Sequence, residues 1–82
     1  MKYEVEFKPR AIKDLRKIEK AYHKKIITRI SELANNLSGN VKRLTNFTPE
    51  YRLRVGNYRV LFEIEGKEIV IYRIRHRREA YR

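Results

Sequence analysis

Tyr51-Arg52-Leu53-Arg54-Val55-Gly56-Asn57-Tyr58-Arg59-Val60-Leu61-Phe62 is the stretch on which the fold turns. Two runs rich in β-branched and aromatic residues flank Gly56-Asn57, a pair suited to a two-residue hairpin loop of type II′. Such a loop sets Val55 opposite Tyr58, Arg54 opposite Arg59 and Leu53 opposite Val60. Successive side chains of a strand point to opposite faces. Tyr51, Leu53, Val55, Tyr58, Val60, Phe62 and Ile64 therefore form an apolar face that helices must cover, while Arg52, Arg54 and Arg59 share the other.

Toward the C-terminus, Glu65-Gly66-Lys67 marks a second hairpin and residues 68–75 a further strand. A three-residue loop pairs Val60 with Tyr72 and Arg59 with Arg73, and the same parity carries Arg75 and Arg77 onto the arginine face. A two-residue loop would turn Arg73 into the core, so the three-residue register is expected. It leaves Leu61, Ile69 and Ile71 exposed beside the arginines, where a protein partner would dock. Like charges opposed across a ladder are destabilising, and Glu63 is the one nearby acid of matching parity. A face carrying Arg52, Arg54, Arg59, Arg73, Arg75 and Arg77 therefore points to anion binding, because guanidinium forks suit phosphate.

Toward the N-terminus, residues 2–7 alternate Tyr3, Val5 and Phe7 against Lys2, Glu4 and Glu6, the pattern of a half-buried strand. Pro9 stands where a first helical turn favours it. Ala11, Ile12, Leu15, Ile18 and Tyr22, then Ile26, Ile27, Ile30, Leu33, Ala34 and Leu37, recur at helical spacing with no Gly or Pro between them. Periodicity does not separate one long helix from two. Closing a core in so short a chain favours a hairpin bent near Lys20-Ala21-Tyr22-His23. Ser38-Gly39-Asn40 ends the helical region. Residues 41–50 read as a connection anchored by Leu44 and Phe47, with a turn at Thr48-Pro49-Glu50. The order is β-α-α-β-β-β: a single α+β domain over residues 1–82, with a helical hairpin packed on one face of a small, mainly antiparallel sheet.

The 82 residues carry 21 Lys+Arg against 10 Asp+Glu, a formal net charge of +11. Lysine dominates the first half of the chain and arginine the second, which locates the expected phosphate site in the second half. A polyanionic partner is implied. At 41% hydrophobic the chain is too apolar for a disordered basic tail. The lack of cysteine excludes a disulfide framework or a thiolate zinc site. Ile69-Val70-Ile71-Tyr72 is the longest apolar run, far short of a membrane span, and the N-terminus has no signal-peptide pattern, so a cytoplasmic domain with no membrane partner is expected. Zinc spacings, paired acids, nucleophile elbows and Gly-rich phosphate loops are absent, and no metal or cofactor is expected. An RNA-recognition sheet with stacking aromatics is not expected either, because the aromatics fall on the core face. In the tail Arg75-His76-Arg77-Arg78-Glu79-Ala80-Tyr81-Arg82, His76 and Tyr81 can move protons, and guanidinium neighbours would favour the Tyr81 phenolate. His23, beside Lys24 and Lys25, reads as a surface residue.

The segment 51–62, followed by His76-Arg77-Arg78-Glu79-Ala80-Tyr81-Arg82, resembles the RelE branch of the RelE/ParE toxin superfamily. The likeness runs through the whole chain, including Pro9-Arg10-Ala11 and Lys13-Asp14-Leu15. It implies a β-α-α-β-β-β toxin of a type II toxin–antitoxin system that cleaves messenger RNA in the ribosomal A site. A cognate RelB-like antitoxin would mask the site, and operator DNA would be met only through the antitoxin complex. By the same resemblance Arg54, Arg59, Arg77 and Tyr81, with His76 as a second proton carrier, are catalytic. Arg52, Arg73, Arg75 and Arg78 bind RNA phosphates, and Leu61, Ile69 and Ile71 meet the antitoxin. Arg59 and Arg77 suit stabilisation of charge on the phosphoryl oxygens during attack by the ribose 2′-OH.

Two positions depart from the family pattern. Arg52 and Arg54 stand where well-known members have lysine, and an arginine cannot give up its proton, so both are assigned to phosphate binding and orientation. Lys8 stands where relatives commonly place a helix-capping serine. The lysines spread over the helices imply a general attraction to ribosomal RNA. The alternatives are a ParE-like inhibitor of DNA gyrase on the same fold, a nucleic-acid-binding module without chemistry, and an inactive homologue kept as an antitoxin-bound co-repressor.

Overall fold

Five strands and two helices make up the computed structural model, which describes residues 2–80. In chain order they are β1 (Glu4–Phe7), α1 (Pro9–Lys17), α2 (Lys20–Asn36), β2 (Asn40–Arg43), β3 (Tyr51–Val55), β4 (Tyr58–Glu65) and β5 (Glu68–His76). The sheet order is β1-β5-β4-β3-β2, with β1 parallel to β5 and every other pair antiparallel. This is the expected α+β fold with one addition, the short strand β2 inside what reads as a connection. Without it β3 would be a bare edge of unpaired backbone groups. Val41 turns to the core while Lys42 and Arg43 keep the new edge charged.

The helices separate at Ile18-Glu19, earlier than the expected bend at residues 20–23. Ile18 is extended (φ −84°, ψ 142°), is nearly buried, and donates its N–H back to the Leu15 carbonyl (3.1 Å). His23 Nε2 donates to the Ile18 carbonyl oxygen at 2.6 Å, satisfying an acceptor that the end of α1 leaves open. His23 is thus half-buried and structural rather than a surface residue. At the other end of α2, Leu37 takes the left-handed conformation (φ 56°), one residue before the expected stop. Gly39 follows at φ 117°, and a Cβ there would lie 2.9 Å from Leu53 Cδ1.

Ala11, Ile18, Ile26, Ile30 and Leu33 of the helical layer close over Leu53, Val55, Val60, Phe62, Ile69, Ile71 and Ile74 of the sheet. The β3–β4 hairpin has the expected register, with Val55 opposite Tyr58, Arg54 opposite Arg59 and Leu53 opposite Val60. The β4–β5 hairpin does not. Its loop has two residues, since Glu65 pairs with Glu68, and Phe62 pairs with Ile71. The ladder then slips: Leu61 pairs with Arg73, which leaves Tyr72 as the extra residue of a β-bulge. Beyond it Val60 pairs with Ile74, Arg59 with Arg75 and Tyr58 with His76.

The expected exposure of Leu61, Ile69 and Ile71 is therefore overturned. Ile69 and Ile71 are 0% exposed and belong to the core under the helices, while Leu61 is 3% exposed. The two-residue loop sets the parity that buries both isoleucines, and the bulge resets it before Arg73 so that no arginine enters the core. Leu61 does lie on the arginine face, in a cleft that it shares with Phe47, Pro49 and Ala80. None of the three is available as an exposed docking residue.

Gly39→Ala should lower the unfolding free energy by roughly 2–4 kcal/mol, from backbone strain and overpacking against Leu53. Gly66→Ala, where a Cβ meets nothing within 4 Å, should cost only the left-handed backbone strain of about 1–2 kcal/mol. Urea denaturation of the two variants checks the ranking.

Candidate functional site

The strand registers assemble the site. Arg54 on β3 pairs with Arg59 on β4, and Arg59 pairs with Arg75 on β5. Neighbouring strands lie about 4.8 Å apart, so three guanidinium side chains leave one sheet face within roughly 10 Å. All three have the parity of the face opposite the core. A row of like charges opposes folding, so its energetic sense lies in what it can hold.

The arginines are not equivalent. Arg59 is 8% exposed, and its Nη1 donates to the carbonyls of Gly56 (2.9 Å) and Tyr58 (3.0 Å). These neutral acceptors fix the guanidinium against the hairpin turn. Arg77 follows β5 and is exposed, and its backbone N–H donates to the Asn57 carbonyl in the same turn (2.8 Å). One tight turn therefore positions Arg59 by its side chain and Arg77 by its backbone. Arg54 is exposed, whereas Arg75 is half-buried with Nη2 3.4 Å from Glu79 Oε2.

The next row pairs Arg52 with Leu61 and Leu61 with Arg73. Arg52 Nη1 turns to the sheet edge and donates to the Asn40 carbonyl (3.0 Å) and Oδ1 (3.2 Å). Arg73 is taken up by Asp14 of α1, with Nε donating to Oδ2 at 2.7 Å and Nη2 to Oδ1 at 3.1 Å. The same Oδ2 accepts the Ile74 N–H at 3.0 Å. Arg73 thus stands on the expected face but is committed to a part-buried ion pair rather than held ready for phosphate. Arg78 is exposed, and its backbone N–H donates to His76 Nδ1 at 3.3 Å.

His76 follows Arg75 with the opposite parity. It pairs with Tyr58, so its parity is that of the core face, and the two rings meet edge to face at 5.7 Å. Its cleft is shared with Asp14, Lys17 and Ile18 on the helix side and with Arg73, Arg75 and Glu79. Tyr81 lies outside the described residues. Among the described residues no group of three His, Asp or Glu side chains converges on a metal position.

Two contributors escape the sequence reading. Asp14 had a signal, as the one acid in a helix otherwise basic and apolar. Tyr72 had none, because uniform alternation assigns it to the core. The two-residue loop puts it instead on the open face, in the cleft with Leu61 and Arg75. Burial pushes the Asp14 carboxyl up, but the Arg73 hydrogen bond, the Ile74 N–H and the charges of Arg73 and Arg75 outweigh it and hold the group below its usual 3.8. In return the Asp14 hydrogen bond raises the Arg73 guanidinium, against the opposing effect of burial.

Comparison with known proteins gives a consistent kinship. A family model described as the ParE toxin of a type II toxin–antitoxin system matches residues 5–81. A toxin designated RelE3 from Methanocaldococcus jannaschii is 35% identical over 75 residues, covering 85% of each chain. A chain of the RelB–RelE antitoxin–toxin complex from Methanococcus jannaschii has a TM-score of 0.77 at 32% identity, covering 93% of this chain and 94% of that one. A chain of the archaeal RelE–RelB complex from Pyrococcus horikoshii OT3 has a TM-score of 0.78 at 25% identity, covering 98% and 100%.

Asp14→Asn should cost about 1–3 kcal/mol of stability at neutral pH, because it weakens the hold on Arg73 and the Ile74 N–H together. A carboxylate with a depressed folded pKa contributes stability above its unfolded pKa and loses it as pH falls through the folded value. The gap between wild type and variant should therefore be full at pH 7 and close below the usual aspartate range, as followed by urea denaturation across that span.

Proposed function

The chain belongs to the RelE/ParE superfamily of type II toxin–antitoxin toxins, and from that premise we propose that it is an endoribonuclease that cuts messenger RNA in the ribosomal A site. The observation that carries this reading is the cross-strand row Arg54–Arg59–Arg75, completed by Arg77 on the turn that also anchors Arg59.

The chemistry is attack of a ribose 2′-OH on the adjacent phosphorus. The 2′-oxygen forms a bond to phosphorus as it loses its proton, the bond to the 5′-oxygen breaks, and that oxygen gains a proton. The products are a 2′,3′-cyclic phosphate and a 5′-hydroxyl. Negative charge grows on the non-bridging oxygens, where the fixed Arg59 and neighbouring Arg77 stabilise it without reorganising. Arg54, Arg75 and the more peripheral Arg52 hold the flanking phosphates. Guanidinium groups cannot serve as the base, and Tyr81 is the proposed proton carrier. His76 is left out of this assignment, since its ring packs edge to face against Tyr58.

A RelB-like antitoxin is the proposed neutralising partner, with operator DNA met through that complex. Exposed lysines on α1 and α2 supply a salt-sensitive attraction to ribosomal RNA in the cytoplasm. One observation favours a second reading: the family model that matches carries the ParE description, and a ParE-like toxin would act on DNA gyrase.

Primer extension on a defined message during induced expression separates the two. Discrete in-frame cuts are expected, whereas intact message with DNA-damage signalling would establish the gyrase reading. Arg59→Ala and Arg77→Ala should each lower cleavage by about 100-fold or more while the domain stays folded by circular dichroism. Full toxicity in both variants would remove the assigned site.

A further inference from the structure

We infer that the cleft beside the arginine row is a nucleobase seat, with Tyr72 as the stacking surface for one base of the strand whose phosphates lie on Arg54, Arg59 and Arg75. This rests on reading the row as an RNA phosphate site and adds to it a contact that phosphates cannot provide. The cleft holds about 460 Å³, within the range of roughly 300–1,000 Å³ typical of small-ligand sites.

Three features give it that chemistry. The two-residue loop sets Tyr72 on the open face, and the bulge leaves it without a cross-strand partner on β4. About 10 Å of strand separates Tyr72 from Arg75, and Arg75 belongs to both the cleft and the row. The floor is apolar, formed by Leu61 at 3% and Ala80 at 1% exposure with Pro49 beside them. It suits a flat ring.

The third feature is Lys8. Its Nζ lies over the Tyr72 ring, 5.7 Å from the centroid, in a cation–π contact, and its side chain gives α1 no cap. It places donors, and no acceptor, beside the aromatic surface. Of the other cations that line the cleft, Arg73 is already engaged by Asp14, Arg75 belongs to the row, and Arg10 is exposed. Stacking on an aromatic face with donors at the base edge is how proteins hold single-stranded RNA.

The test uses the full chain and an inert 2′-O-methyl hexanucleotide, with binding read by fluorescence anisotropy at low salt. The same strand is prepared with one base removed at each position in turn. Loss of one particular base should weaken binding roughly tenfold. Tyr72→Ala should lose a similar factor on the intact strand and become indifferent to that base, while Tyr72→Phe keeps the discrimination and Lys8→Ala reduces it. Arg59→Ala should instead weaken intact and abasic strands by the same factor. If wild type binds all strands equally, the base seat is overturned while the phosphate reading stands. A Tyr72→Ala variant that still discriminates, or one that loses only antitoxin affinity, also overturns it. If no strand binds at all, the seat falls together with the reading beneath it.

Discussion

One extra residue in β5 is the constraint on which the rest of the molecule depends. A strand that alternates strictly cannot bury Ile69, Ile71 and Ile74 and also turn Arg73 and Arg75 outward, because the two sets disagree in parity. The bulge at Tyr72 resolves the disagreement. Below it the strand serves the core, and above it the strand serves both the core and the arginine row. The Lys8 N–H bonds the Ile71 carbonyl (2.8 Å), and β1 pairs no further than Ile71, so the outer edge of β5 loses its strand partner where the bulge begins. Helix α1 takes over there. Asp14 accepts the Ile74 N–H and grips Arg73, so one carboxylate replaces a missing strand and holds the slipped register.

The same clamp sorts the charges. A net charge of +11 says that the molecule attracts polyanions and leaves their destination open. The structure divides the arginines by what each already holds. Arg73 is spent on Asp14, Arg52 on the Asn40 edge, and Arg59 is fixed by backbone carbonyls. Exposed pairs such as Arg29–Glu32 contribute little to stability. The row is different, because repulsion among aligned cations is relieved when an anion arrives, and hydrogen bonding to carbonyls spares Arg59 the reorganisation it would otherwise undergo. Stability given up at the row is regained in the core, where Phe62 is fully buried beneath the helices.

Much of this was legible in residue order. Gly56-Asn57 dictated a two-residue turn, and from it followed the pairing of Arg54 with Arg59 and the burial of Leu53, Val60 and Phe62. Pro9, the apolar spacing of α1 and α2 and the alternation in β1 were equally direct, since each is a local preference repeated along a segment. The second hairpin failed for a specific reason. Uniform alternation keeps Arg73 out of the core only with a three-residue loop, and a bulge satisfies that requirement by another route. The error carried Ile69 and Ile71 to the wrong face and hid Tyr72.

Sequence alone determined the element types, the hairpin at residues 51–62 and the concentration of arginine in the second half, because backbone propensity and side-chain period act over a few neighbouring residues. Tertiary structure alone decided which arginines remain available. Asp14 and Arg73 are 59 positions apart, and no local pattern links them. Their meeting depends on α1 lying against the free edge of β5, a packing outcome of the whole core. The pairing of His76 with Tyr58 has the same origin, since the slipped register, not the spacing of the tail, sets it.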